Sequence, residues 1–216
     1  MRVVILISGR GSNMRALLEA DLPVEFRCVI SNKADAPGLQ TAAAHGIPTM
    51  VLAHGNYPDR ATFDAALAAC IDSYQPDIVI LAGFMRVLTA AFVRHYENRL
   101  INVHPALLPA FPGLDTHARA IAAGVKLHGC TVHFVTPEVD AGPIIAQAAV
   151  PVLADDTPHS LAARVLRQEH RIFPLVLRWL AQGRVHVREN GTVAVTPDDW
   201  QSGDAALISP SVPQTA

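Results

Sequence analysis

Long apolar runs are missing from this 216-residue chain. The stretch RVVILI after Met1 is too short for a membrane span or the apolar part of a signal peptide, and no cleavage site follows it. A cytoplasmic location is expected. Basic runs are missing too, and a formal net charge of -2 offers neither an electrostatic footprint for nucleic acid nor a polybasic face for a membrane. Small molecules are therefore the expected partners. Cysteine is scarce: Cys28, Cys70 and Cys130 lie far apart in apolar segments, and three residues without C-x-x-C spacing argue against a disulfide framework or a zinc knuckle. They are expected to be reduced packing residues. Although there are ten histidines, no H-E-x-x-H or comparable pair occurs. His104, His117, His128, His133 and Asp140 could in principle converge, but no metal is expected. There is no internal repeat.

What the chain does have is a core: 50% of its residues are hydrophobic and 17% charged, enough for one well-buried domain and short for two. Apolar runs at Val3 to Ile7, Phe26 to Ile30, Thr49 to Leu52, Ile78 to Leu81 and Leu100 to Val103 read as strands. Helical patterns separate them at Met14 to Ala20, Leu39 to His45, Arg60 to Tyr74 and Ala90 to Tyr96. This alternation predicts an α/β fold, a Rossmann-like, mostly parallel open sheet with helices on both faces. Past residue 105 come a Pro/Gly-rich loop, a short helix from about Thr116 and strands near Thr131 to Val135 and Ile144 to Val150. A long helix follows from Pro158 to about Leu180, capped by Asp156 or Thr157, with its apolar stripe on Leu161, Val165, Ile172, Val176 and Trp179. The domain is expected to span 1–195, with 196–216 a flexible tail that lacks periodicity.

Several residues carry chemistry. Asn102 and His104 are two apart on a strand, so their side chains face the same way at the carboxyl end, where open α/β sheets bind ligands. An amide that donates to an oxyanion and an imidazole that passes a proton suit attack on a carbonyl or formyl carbon. Packing gives a plainer account, in which Asn102 satisfies loop backbone and His104 is a core histidine. In TPEVDAGPIIAQ, Asp140 precedes a strand, and beside His104 it would orient the ring and favour its charged form; Asp before Gly or Pro is also ordinary turn chemistry. In ISGRGSNMRAL, Gly9 and Gly11 permit a tight turn, and the backbone N–H groups of Gly11, Ser12 and Asn13 at a helix start form a pocket for a phosphate. Met14 stands where a dinucleotide fingerprint needs a third glycine, and G-K-[ST] is missing, so a monophosphate ester fits best. A glycine turn without ligand is the alternative. Glu169 falls on the buried stripe of the long helix, where a carboxylate needs a partner: ribose hydroxyls, Arg171 or nearby backbone. LAGFMRVL leaves a strand yet stays apolar, which suits a slot for a flat ring or ordinary core.

The ordered set LISGRGSN, SNKADAPGL, LAGFMRVL, INVHPALLPAFPGLDTH, HGCTVHFV, DAGPIIAQ and ARVLRQEHRIFP resembles the phosphoribosylglycinamide formyltransferases, folate-dependent enzymes of purine synthesis, over roughly residues 1 to 188. The resemblance implies formyl transfer from 10-formyltetrahydrofolate to the amine of glycinamide ribonucleotide. By the same resemblance Asn102, His104 and Asp140 are catalytic. Gly11, Ser12 and Asn13 take the substrate phosphate, Glu169 the ribose, and Pro105 belongs with the ribonucleotide. The pterin is expected against Met85, Arg86, Val87 and Leu88, with Arg60 near the glutamyl tail and Asn102, Val139 and Asp140 also facing the folate. No metal is implied, and monomer and homodimer both remain open.

There are departures. Ala106 stands where the family often has Ser, Cys130 where it has Thr or Ser, Ala141 where it has Gly, and Asp115 where bacterial members have His. The first two remove hydroxyls expected near the catalytic strand and loop, so a hydrogen bond that orders Asp140 is expected to be lost or replaced. Methionyl-tRNA formyltransferases carry an R-G-A-x-P type loop where this chain has FPGLDTH, and a basic C-terminal domain; neither occurs here. Formyltetrahydrofolate deformylases, the nearest alternative, usually bear an N-terminal regulatory domain. A metal-dependent hydrolase and a non-catalytic nucleotide-binding module are the readings from other classes.

Overall fold

Strand β1 (Arg2–Ile7) is apolar without alternation because both of its faces are covered: Val3 to Ile7 are all fully buried. The computed structural model describes residues 1–196, so the segment expected as a tail lies outside the described residues apart from Thr196. Around β1 the chain lays down, in order, α1 (Ser12–Glu19), β2 (Glu25–Ser31), α2 (Gly38–Ala44), β3 (Thr49–Val51), a short 3-10 turn, α3 (Arg60–Ser73), β4 (Ile78–Leu81), α4 (Ala90–His95) and β5 (Leu100–His104). Then come α5 (Thr116–Ala122), β6 (Leu127–Phe134), β7 (Ile144–Pro151), α6 (Pro158–Ala181) and a hairpin of β8 (Val185–Val187) and β9 (Val193–Val195).

The main sheet runs β3-β2-β1-β4-β5-β6-β7. It is parallel from β3 to β5, whereas β6 pairs antiparallel with both β5 and β7. Side chains alternate across it, and two apolar layers result. On one face Ile5, Ile7, Val103, Cys130 and Val132 meet Met14 and Leu17 of α1 and Leu161, Val165 and Phe173 of α6. On the other, Leu6, Ile30, Val79 and Leu100 meet Phe63, Leu67 and Ile71 of α3 and Phe92 of α4. The mostly parallel sheet with helices on both faces is thus the one expected from the sequence.

Thr157 is the cap of α6: its side chain accepts from Ser160 N, and Ser160 returns a bond to the Thr157 N–H. Asp156 instead pairs with Arg164 at 2.6 Å. The buried stripe of α6 is Leu161, Val165, Glu169, Ile172, Phe173, Val176 and Leu177. Cys28 and Cys130 are buried, Cys70 is half-buried, and all three are free thiols. The β8–β9 hairpin has no counterpart in the sequence reading. Its strands are three residues each, too short to show a period, although Asn190 and Gly191 form a turn pair between them.

Candidate functional site

The strand order reverses at β1, which has β2 on one side and β4 on the other, so the loops leaving β1 and β4 diverge and open a crevice. Those loops are tied at their base. Ser8 N donates to Gly83 O at 3.1 Å, Met85 N donates to Ser8 Oγ at 2.8 Å, and Ser8 Oγ donates to Asn32 Oδ1 at 2.6 Å.

After β1, Gly11 sits at φ 68°, and a Cβ there would come within 3.1 Å of Met14 Cε and 3.3 Å of the Gly38 Cα. Only glycine takes that turn without strain. Among the described residues no side chain caps α1, which leaves its first-turn N–H groups for an anion. Asn13 is buried and its Nδ2 donates to Glu169 Oε2 at 2.7 Å. Burial pushes the Glu169 carboxyl above the usual carboxylate range, and the Asn13 bond partly offsets this. Arg171 is not its partner and bonds Gln168 instead. Beside this helix start an open cleft of about 630 Å³ is lined by Arg10, Ser12, Arg15, Thr41, Leu166 and His170.

At the end of β5, Asn102 is half-buried and His104 buried. Their antiparallel partners on β6 are His133 and Thr131, so all four residues share a face. Asp140 follows β6 at φ 53°, a left-handed conformation in a non-glycine residue. Two residues on, Gly142 passes so close to β6 that a Cβ would lie 1.8 Å from Phe134 O. Asp140 Oδ2 stands 3.3 Å from His104 Nδ1 and accepts from Gly113 N at 2.8 Å, while Oδ1 stands 3.8 Å from His133 Nε2. His104 Nε2 donates to Phe111 O at 2.9 Å. Both ring nitrogens of His104 therefore face oxygen acceptors. His133 donates from Nδ1 to Phe134 O at 2.8 Å, and burial holds its ring below the usual histidine range. The bare Nε2 of that neutral ring faces Asn102 Nδ2 at 3.4 Å, so one N–H of the amide is occupied and the other is free for a ligand.

A second cleft, of about 600 Å³, is walled by Leu81, Phe84, Leu88, Val93 and Val135 and edged by Asn102, His133 and Asp140. Its apolar wall with a few convergent polar groups suits a flat heterocycle. Arg86, Val87 and Val139 also line it. The Arg86 guanidinium lies 4.7 Å over the Phe63 ring, with its Nε buried and unbonded. Of the other residues assigned to the folate, Met85 is 72% exposed and Arg60 opens α3 in solvent; neither forms part of this wall. His104 does not line it either and stands behind Asp140. Pro105 points its carbonyl at Thr116 Oγ1, 2.7 Å away at the start of α5. His117 and His128 meet edge to face at 5.3 Å. Among the described residues no three His, Cys, Asp or Glu side chains gather closely enough to hold a metal ion.

The sequence profile of the formyl transferase family matches residues 1–177. The chain belongs to the formyl transferase family. It is 50% identical over 194 residues to the phosphoribosylglycinamide formyltransferase of Escherichia coli K12, covering 88% of this chain and 92% of that one. The structure of glycinamide ribonucleotide transformylase 1 from Symbiobacterium toebii superposes with a TM-score of 0.87 at 46% identity, over 90% of this chain and 93% of that one. A formyltetrahydrofolate deformylase from Pseudomonas syringae pv. tomato is similar at 31% identity and a TM-score of 0.83, over 90% of this chain but 65% of its own.

Within this formyl transferase, three contributors to the site escaped sequence reasoning. His133, raised only as a residue that could converge with other histidines on a metal, touches both Asn102 and Asp140 because β6 runs antiparallel to β5, which spacing does not reveal. Phe111 and Gly113 act through backbone groups, which carry no residue-type signal. One expectation is corrected: Cys130 lies in the apolar layer under α6, where the charge of Glu169 reaches its thiol, so a hydroxyl there would not face Asp140. The loop at Ala106 is held from elsewhere, by Thr131 Oγ1 donating to its carbonyl at 2.7 Å.

Proposed function

We infer that this chain transfers the formyl group of 10-formyltetrahydrofolate to the amine of glycinamide ribonucleotide, giving formylglycinamide ribonucleotide and tetrahydrofolate in de novo purine biosynthesis. The observation that carries the reading is the grouping of Asn102, His104 and Asp140 at the edge of a largely apolar-walled cleft, with the Gly11–Asn13 turn tied to Glu169 by the Asn13 side chain. The 50% identity to the Escherichia coli enzyme supports it.

On this reading the ribonucleotide phosphate meets the open N–H groups of Gly11, Ser12 and Asn13, Glu169 takes the ribose hydroxyls, and Pro105 borders the acceptor. Arg86, Val87, Leu88 and Val139 hold the pterin, with Met85 and Arg60 at its outer end. The amine attacks the formyl carbon, so a C–N bond forms and the carbonyl electrons move to oxygen. The free N–H of Asn102 donates to that oxyanion, a contact typically worth about 100- to 1,000-fold in rate. Asp140 stabilises the charged form of His104, whose positive ring supports the oxyanion. As the oxyanion collapses, the bond between the formyl carbon and the folate nitrogen breaks, that nitrogen takes the His104 proton directly or through water, and the attacking amine returns a proton to the ring by the same route. His104 Nδ1 is already turned toward Asp140, so reaching the reacting atoms requires Asp140 or the Phe111 carbonyl to release one ring nitrogen. No metal takes part. The activity resides in one domain, residues 1–195, of a cytoplasmic monomer or homodimer.

Tetrahydrofolate formation followed by absorbance, with and without glycinamide ribonucleotide, tests the reading. Turnover is expected only with the acceptor and unchanged by a chelator. Equal rates without it would favour the deformylase activity carried by the relative at 31% identity.

A further inference from the structure

Asn13 and Glu169 are 156 residues apart in sequence, and one bond of 2.7 Å joins the amide of the first to the carboxylate of the second. Both are buried, at 9% and 7% exposure. What surrounds Glu169 makes that bond unusual. From α1 the facing group is the Asn13 amide; from β6 it is Cys130, a thiol that burial and the Glu169 charge keep protonated. On α6 itself Arg171 is turned to Gln168, and His170 interacts with Arg15 and Glu19. No cation pairs with Glu169 among the described residues. A buried carboxylate whose only donor is one neutral amide is costly to keep charged.

The amide has its own constraint. Asn13 Oδ1 is buried with no hydrogen-bond partner, yet the side chain cannot improve matters by flipping, because the flip would set Oδ1 against the carboxylate oxygen. Its orientation is fixed by Glu169. Meanwhile the backbone of Asn13 belongs to the first turn of α1, where the N–H groups are open. One residue thus touches the anion end of the cleft with its backbone and the carboxylate with its side chain.

We propose that the Asn13 side chain is a positioning group for the acceptor: its amide holds Glu169 ionised and turned so that Oε1, which bonds no protein group among the described residues, receives the ribose hydroxyl. Recognition of the phosphate and recognition of the ribose are thereby linked through one residue. The proposal rests on the reading of Glu169 as the ribose contact and adds what that carboxylate requires to act. Burial pushes the carboxyl up, and the Asn13 bond is the influence that opposes it.

Asn13→Ala is expected to raise KM for the ribonucleotide about 10- to 100-fold, the range for a lost hydrogen bond to a charged group, with a much smaller fall in kcat. The rise in KM should steepen as pH is lowered from about 8 to about 6, because a Glu169 without its donor protonates more easily. Asn13→Asp, of the same size but without a donor, should raise KM further. In free protein carrying ¹³C-labelled glutamate carboxyls, the Glu169 resonance, assigned by its absence in Glu169→Gln, should titrate at higher pH in Asn13→Ala than in wild type. An unmoved titration, or a KM within about two-fold of wild type in either variant, overturns the proposal. Failure of the underlying functional reading looks different: the wild type itself would then show no ribonucleotide-dependent turnover, whatever the titration does.

Discussion

Asp140 Oδ2 stands 3.3 Å from His104 Nδ1 while accepting the Gly113 N–H at 2.8 Å, so one carboxylate oxygen both faces the imidazole and anchors the loop that covers it. Asp140→Asn separates these roles. The new amide oxygen can still accept from Gly113, but the negative charge beside His104 is gone. The account predicts a kcat lower by roughly 100-fold or more with much smaller changes in KM, read by steady-state kinetics. A near-normal kcat at pH 7 would make Asp140 a turn residue only.

Glu169→Gln is expected to weaken ribonucleotide binding by about 1 to 3 kcal/mol in a calorimetric titration. Its effect on stability has the opposite sign. Because burial raises the folded-state carboxyl above its ordinary value of 4.5, the folded chain binds more protons than the unfolded one as pH rises past that value, and wild-type stability declines through that window. The glutamine variant lacks this loss, so the gap in Tm between the two should widen in its favour from about pH 4 to neutrality. A variant that keeps its affinity and loses only Tm would show Glu169 to be structural.

His128 behaves in the reverse sense. Burial, and then the neighbouring His117, push its ring from 6.5 down to about 4, so between those values the folded chain binds fewer protons than the unfolded one. Stability is full above 6.5 and is lost as pH falls toward 4, by up to about 1.4 kcal/mol per pH unit. His117, lowered mainly by burial and then by His104, adds to the slope. His128→Phe, placed among the Phe111 and His117 rings, should flatten the fall in urea-unfolding free energy between about pH 7 and pH 5. An unaltered slope would assign acid sensitivity to other groups.

Gly11→Ala forces a side chain into a left-handed turn at φ 68° and brings a Cβ to 3.1 Å from Met14. A loss of about 1 to 2 kcal/mol in stability is expected. The rise in KM should be confined to the ribonucleotide, with the folate KM unchanged, since Gly11 lies outside the apolar cleft. Equal effects on both substrates would contradict the assignment of this turn to the phosphate.

How much of this could be read from the sequence depended on range. The run at Val3 to Ile7 identifies a strand buried on both faces, and the 3.6-residue spacing of Leu161, Val165 and Ile172 places Glu169 on the buried side of α6; both are local patterns. The partner of Glu169 is not local. Spacing left Arg171, backbone and ribose open, and the structure supplied Asn13 from the other end of the chain. The same limit hid His133, whose contact with Asn102 depends on an antiparallel register, and misplaced Cys130, whose face is set by that register. Asp140 was legible as a turn residue from its setting, but its approach to His104 depends on how the loop at Phe111 to Gly113 folds back, through backbone atoms alone.

The most direct measurement follows the carbon itself. With 10-formyltetrahydrofolate labelled with ¹³C in the formyl group, NMR spectra of a mixture of enzyme, donor and glycinamide ribonucleotide should show the label leaving the folate and appearing as a formamide on the ribonucleotide. Without the ribonucleotide the donor signal should persist. Label accumulating as formate, with or without the acceptor, would contradict the account and make this chain a deformylase.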